Sequence, residues 1–107
     1  MQTTQNITLK RMLALVAERQ AANLHLVVGN KPVMRVYSEL VVVQEEEVIT
    51  EDFVQGIIEE LLTEEQRQRL TEEKEFIFTY DFLGQSRFRV DIIQQRGLHS
   101  MVFHFLP

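Results

Sequence analysis

The chain has 107 residues, 45% hydrophobic and 25% charged, which is room and composition for one globular domain spanning residues 1–107. Its net charge of −5 argues against a dedicated nucleic-acid binder, because phosphate contacts need a surplus of lysine and arginine. Cysteine is absent, which excludes disulfides and thiolate metal sites, and no apolar run approaches the roughly 20 residues of a membrane helix, so the expected setting is the cytoplasm.

Taken in chain order, the first periodic segment runs from about Thr8 to Asn23. Leu9, Met12, Leu13 and Val16 recur at helical spacing, with Thr8 as the expected N-cap and Asn23 as the stop. Leu24 to Val28 reads as a short strand closed by the Gly29-Asn30 turn. A second strand is expected from about Pro32 to Leu40, with Pro32 at its start or on an edge because proline donates no ladder hydrogen bond. A short third run covers Val41 to Val43.

The middle of the chain is helical. Thr50 can cap a helix whose first turn carries Glu51 and Asp52, and Phe53, Val54, Ile57, Ile58, Leu61 and Leu62 form its apolar face. Thr63 and Gln66 have capping-box spacing, so a second helix starts there, with little apolar surface beyond Leu70. This stretch is strongly acidic: from Gln44 to Glu75 there are twelve acidic residues against three basic, a balance of −9. Such a run reads as a solvated helical face.

The last third is β. Phe76, Phe78, Tyr80 and Phe82 alternate, as do Phe88, Val90 and Ile92, and then Met101, Phe103 and Phe105. Gly84 and Gly97 mark the turns between these strands. The aromatics of the first strand read as filled core, or alternatively as the lining of a small-ligand cavity. The element order predicts an α+β fold, a mainly antiparallel sheet with helices packed on one face.

The four glycines, at positions 29, 56, 84 and 97, form no G-x-x-x-x-G-K-[ST] loop. Without amides cradling phosphates and a lysine beside them, this chain cannot by itself carry out phosphoryl transfer. His25, His99 and His104 are scattered and make no metal-binding pattern. What remains is the strand face opposite the aromatic core, where Arg87 and Arg89 project. His25 and Arg35 are expected to share it. Guanidinium groups on rigid strands suit phosphate recognition, while ordinary cross-strand pairing with Asp91 or Glu39 is the plainer alternative.

The ordered set of short segments resembles the amino-terminal domain of PilT-type ATPases of type IV pilus and type II secretion systems. Asn23-Leu24-His25-Leu26-Val27-Val28-Gly29 is similar to that family's D-L-H-L-x-x-G, and Lys31-Pro32-Val33-Met34-Arg35-Val36 to its P-P-M-x-R-V. Leu62-Thr63-Glu64-Glu65-Gln66-Arg67 resembles a helical segment ending in Q-R, and Glu75-Phe76-Ile77-Phe78 resembles D-F-S-F. Gly84-Gln85-Ser86-Arg87-Phe88-Arg89-Val90-Asp91 is similar to G-x-x-R-F-R-V-N, with Gln95-Arg96-Gly97 close behind, and Phe105-Leu106-Pro107 to the family's R-x-I-P. The chain departs from the pattern at Asn23 where relatives have Asp, at Tyr37-Ser38 where they have an Asp-Gly turn before Glu39-Leu40, and at His104 where they usually carry arginine.

The resemblance implies a PAS-like domain, normally followed by a RecA-like ATPase domain that this sequence does not contain. It also implies a homo-hexameric motor in which arginines of this domain approach ATP held, with magnesium, by the catalytic domain of the same or a neighbouring subunit. The matching positions are Arg87, Arg89 and Arg96. His104, an imidazole in place of a planar and always-charged guanidinium fork, would be a weaker phosphate partner than arginine. An inner-membrane platform protein is a further implied partner. The alternative is a free-standing PAS-like interaction or regulatory module that does not touch nucleotide.

Overall fold

Three helices and six strands form among residues 3–107, which the computed structural model describes. They are α1 (Thr4–Arg19), β1 (Asn23–Val27), β2 (Val33–Val36), β3 (Glu39–Val42), α2 (Glu51–Leu61), α3 (Glu64–Glu73), β4 (Glu75–Phe82), β5 (Ser86–Gln95) and β6 (Leu98–Leu106). The expected α+β class holds.

Caps explain where the helices begin and end. α1 starts a turn earlier than the sequence suggests because Thr3, not Thr8, is the N-cap and accepts from the Asn6 N–H at 3.2 Å. Glu60 of α2 reinforces this end by accepting from the Thr3 hydroxyl and the Asn6 side-chain amide. α1 also stops short of Asn23. Gln20 adopts the left-handed conformation (φ 54°), its N–H bonds Ala17 O, and the Ala21 N–H bonds Val16 O, a Schellman closure without glycine. Thr50 and Thr63 cap α2 and α3 as expected, and Thr63 and Gln66 complete a reciprocal capping box.

The expected strand from Pro32 to Leu40 is in fact two strands. Tyr37 (φ 50°) and Ser38 (φ 71°) both occupy the left-handed region and make a two-residue hairpin turn of the type I′ kind. β2 and β3 therefore pair with each other, Val36 opposite Glu39. Pro32 lies just before β2, where its missing N–H costs no ladder bond and its carbonyl accepts from Val43.

All six strands join one antiparallel sheet in the order β3-β2-β1-β6-β5-β4. β1 and β6, far apart in sequence, are neighbours at its centre. One face carries Leu24, Leu26, Met34, Phe88, Val90, Ile92, Met101 and Phe103, all buried against Leu9, Met12, Leu13 and Val16 of α1 and Val54, Ile57 and Ile58 of α2. Phe88 sits at the middle of an edge-to-face cluster, 6.2 Å from Phe103, 5.7 Å from Phe105 and 6.5 Å from Phe82. Phe76, Phe78 and Tyr80 are half-buried and pack against the same core, with the Arg69 guanidinium of α3 lying 5.5 Å over the Phe76 ring. These aromatics fill the core rather than line a ligand cavity. α3 is anchored by buried Leu70 and, apart from half-buried Gln66 and Arg67, is exposed, in line with its sequence.

A second tie fixes α2 to the sheet. Glu51, the first residue of α2, accepts from the His99 N–H at 3.0 Å and from its Nδ1 at 2.8 Å. Gln55, one turn on, donates to the same carboxylate at 3.0 Å.

Candidate functional site

With the helices on one face, the other face of the sheet is uncovered. Alternation along β5 sends Phe88, Val90 and Ile92 into the core and Arg87, Arg89 and Asp91 onto this open face. The register then lays out its rows. One runs Leu40, Arg35, Asn23, His104, Arg89 and Thr79 from β3 to β4. The next runs Val42, Val33, His25, Val102, Asp91 and Ile77. His25 and Arg35 thus share the arginine face, as their strand parity implied.

The face that carries the arginines also carries aliphatic side chains. Leu40 and Ile77 are 61% and 57% exposed on it, and Val27, Val42 and Ile93 are also exposed there. A soluble domain seldom spreads this many aliphatic side chains over one side of a sheet without a partner for them. The sequence did carry the signal. Ile77 and Ile93 stand at positions where the strand alternation calls for polar residues.

Four of the charged groups of the face form two pairs. Arg87 Nε donates to Asp81 Oδ1 at 3.0 Å across the β4–β5 ladder. Arg89 engages Asp91 on its own strand twice, Nε to Oδ1 at 3.1 Å and Nη2 to Oδ2 at 3.4 Å. The pairing with Asp91 that the sequence offered as a cross-strand bridge is therefore within β5. His104 Nε2 also reaches Asp91 Oδ2, at 3.2 Å, so one carboxylate serves two cationic or donor groups. Arg35 donates to the Ser38 carbonyl at 3.2 Å.

Between these groups lie two unsatisfied atoms. Asn23 Oδ1 and His25 Nε2 are buried and have no hydrogen-bond partner. Burial, with the nearby positive charges of Arg35 and His104, holds the His25 imidazole below its ordinary pKa and so favours the neutral ring. Beside His25 a shallow groove of about 390 Å³ is lined by Val27, Asn30, Lys31, Val33, Val42 and Gln44.

The three arginines do not converge. Arg87 and Arg89 are two residues apart on one face, a spacing of about 7 Å along an extended strand. Arg96 lies in the β5–β6 turn (φ 53°), about 23 Å along the strand direction from Arg89. It borders a separate hollow with Gln95, Leu98 and His99, whereas Arg87 borders one with Asp81, Gly84 and Leu106. A single phosphate group can meet Arg87 and Arg89 together but not Arg96 as well.

Among the described residues no cluster of three or more His, Cys, Asp or Glu side chains could hold a metal, and no helix is long and apolar enough to cross a membrane.

No family model and no curated protein sequence matches the chain. Solved structures do. The pilus retraction motor PilT with bound ADP superposes with a TM-score of 0.83 at 25% identity, over 92% of this chain and 29% of that one. The ATPase DotB of Legionella pneumophila gives 0.79 at 16% identity, over 94% and 29% of the two chains. DotB of Yersinia pseudotuberculosis gives 0.75 at 14% identity, over 94% and 30%. The chain therefore spans about 29–30% of the length of the proteins it matches, and at the lower identities the likeness is one of fold alone. Its fold is that of the amino-terminal region of PilT-type pilus and secretion ATPases.

Proposed function

We propose that this chain acts as the amino-terminal domain of a type IV pilus or secretion motor ATPase in the cytoplasm. It packs through its open sheet face on a RecA-like catalytic domain of the same or a neighbouring subunit of a homo-hexamer. In doing so it brings Arg87 and Arg89 to the phosphates of ATP. The observation that carries this reading is the position of those two arginines, on rigid strand backbone, on the one face of the sheet that the domain leaves uncovered.

The residues fit a supporting role and not a holding one. Arg87 uses only its Nε in pairing with Asp81, which leaves both terminal nitrogens free to donate. Arg89 keeps Nη1. Guanidinium donors suit charge building up on phosphate oxygens, and rigid strands limit the reorganisation needed to aim them. The chain supplies no phosphate-cradling loop, so ATP and magnesium would be held by the catalytic domain, where the metal neutralises phosphate charge. The aliphatic residues of the face, Leu40, Ile77 and Ile93, would supply the contact area between domains.

The second reading, an interaction module that never touches nucleotide, draws support from the carboxylate already paired with each arginine. ATP turnover separates the two in a full-length motor that carries this domain at its amino terminus. Arg89→Ala is expected to lower turnover by about 10²-fold, the usual scale for one lost transition-state contact. Unchanged turnover would remove Arg89 from the site and favour the second reading.

A further inference from the structure

We propose that Asp91 is an internal counter-ion that occupies Arg89 while the face is empty, and that His104 takes over the carboxylate when Arg89 turns to an incoming phosphate. The proposal rests on the reading that Arg89 meets phosphate and adds how that contact is regulated.

Three observations carry it. First, both Asp91 oxygens are engaged by Arg89, Oδ1 at 3.1 Å and Oδ2 at 3.4 Å, so the guanidinium has a fixed anionic partner before any ligand arrives. Second, Asp91 Oδ2 has another donor, His104 Nε2 at 3.2 Å, on the strand directly opposite Arg89. A carboxylate cannot donate, so this bond requires the proton of His104 to sit on Nε2. Third, the Asp91 side chain is only 23% exposed and has Val102 beside it on β6 and Ile77 beside it on β4. Stripped of every donor, a carboxylate there would be costly. His104 removes that cost, because Asp91 keeps one hydrogen bond after Arg89 leaves.

The remaining charged groups of the face do not compete for the carboxylate. Arg87 is held by Asp81, and Arg35 by the Ser38 carbonyl. His25, the nearest other titratable ring in the row of Asp91, is held toward its neutral form. The arrangement is thus an exchange among three groups. Arg89 passes from carboxylate to phosphate, and His104 keeps the carboxylate satisfied.

The exchange makes opposite predictions for its two partners. Removing the charge of Asp91 frees Arg89 and strengthens phosphate binding. Removing His104 leaves Asp91 dependent on Arg89 and weakens it. The probe is inorganic tripolyphosphate, titrated into the 107-residue chain while the arginine Nε–H resonances are followed by NMR. Asp91→Asn is expected to bind about fivefold more tightly than the parent, the scale of one unit charge a few ångströms away in water. His104→Ala is expected to bind more weakly, and Arg89→Ala to abolish the gain from Asp91→Asn.

The failures are distinguishable. If Arg89→Ala weakens the parent while Asp91→Asn changes nothing, Arg89 still meets phosphate but the counter-ion role is overturned. If Asp91→Asn tightens binding equally with and without Arg89, the effect is general charge and the exchange is again overturned. If Arg89→Ala leaves binding unchanged in both backgrounds and Asp91→Asn gives no gain, the phosphate reading of Arg89 falls and takes the proposal with it. Asn has the shape of Asp, and the folded state of each variant is checked by the β5 and β6 amide resonances in the same spectra.

Discussion

His25 and Glu51 show how single side chains tie this fold to pH, in both cases against acid. Burial and two neighbouring positive groups keep the folded His25 below its unfolded pKa, so the unfolded chain takes up the proton first. Stability from this residue is complete above about pH 6.5 and is lost as pH falls toward the lower folded value. Urea unfolding at pH 7.5 and 5.5 should therefore show a smaller loss in His25→Gln than in the parent. For Glu51, burial alone would raise the pKa. It is outweighed by the His99 N–H, the His99 ring and Gln55, which together hold the carboxyl below its ordinary range. Its contribution is present above about pH 4.5 and lost below it. Glu51→Gln should cost about 1.5–3 kcal/mol at pH 7, the scale of a hydrogen bond to a charged acceptor, and the difference should close as the pH is taken below 4. The sequence put His25 on the arginine face and Glu51 in the first turn of α2, but it showed the partners of neither. Only the fold leaves His25 Nε2 without a partner and brings His99 to the Glu51 carboxylate across 48 residues.

Elements were legible where a side chain carried the signal and obscure where backbone conformation did. Thr50 and Thr63 announce α2 and α3 because their hydroxyls do the capping, and Thr63→Ala should cost about 1 kcal/mol in urea unfolding. The end of α1 was missed, and the β2–β3 turn showed only through the resemblance, because Gln20, Tyr37 and Ser38 hold left-handed conformations more commonly taken by glycine or asparagine. That leaves room for improvement at the hairpin. Replacing Tyr37-Ser38 by Asn-Gly should raise stability by about 0.5–1 kcal/mol, since both residues suit the type I′ turn. A lower midpoint in the variant would mean that the 82% exposed Tyr37 ring contributes more than its backbone costs. Strand parity was the most dependable guide, because a strand with one buried face must alternate. It correctly sent Arg87 and Arg89 away from Phe88. It gave no distance between them and Arg96, which depends on where β5 turns.

At the scale of the whole molecule, the sheet is built with one finished face and one open one. The pairing of β1 with β6 at its centre, which brings Asn23 beside His104, joins segments from opposite ends of the chain and left no local trace in the sequence. That pairing makes the site, because without it Arg35 and His25 would not share a surface with Arg89. The proposed function requires a RecA-like domain on this surface, and side-chain footprinting by hydroxyl radicals tests that most directly. The domain would be compared free and joined to the ATP-loaded catalytic domain of a PilT-type motor. Labelling of Leu40, Ile77 and Ile93 on the open face should fall on joining, while Ile7, exposed on α1 across the sheet, stays labelled. Protection of Ile7 with Leu40, Ile77 and Ile93 still fully labelled would contradict the account.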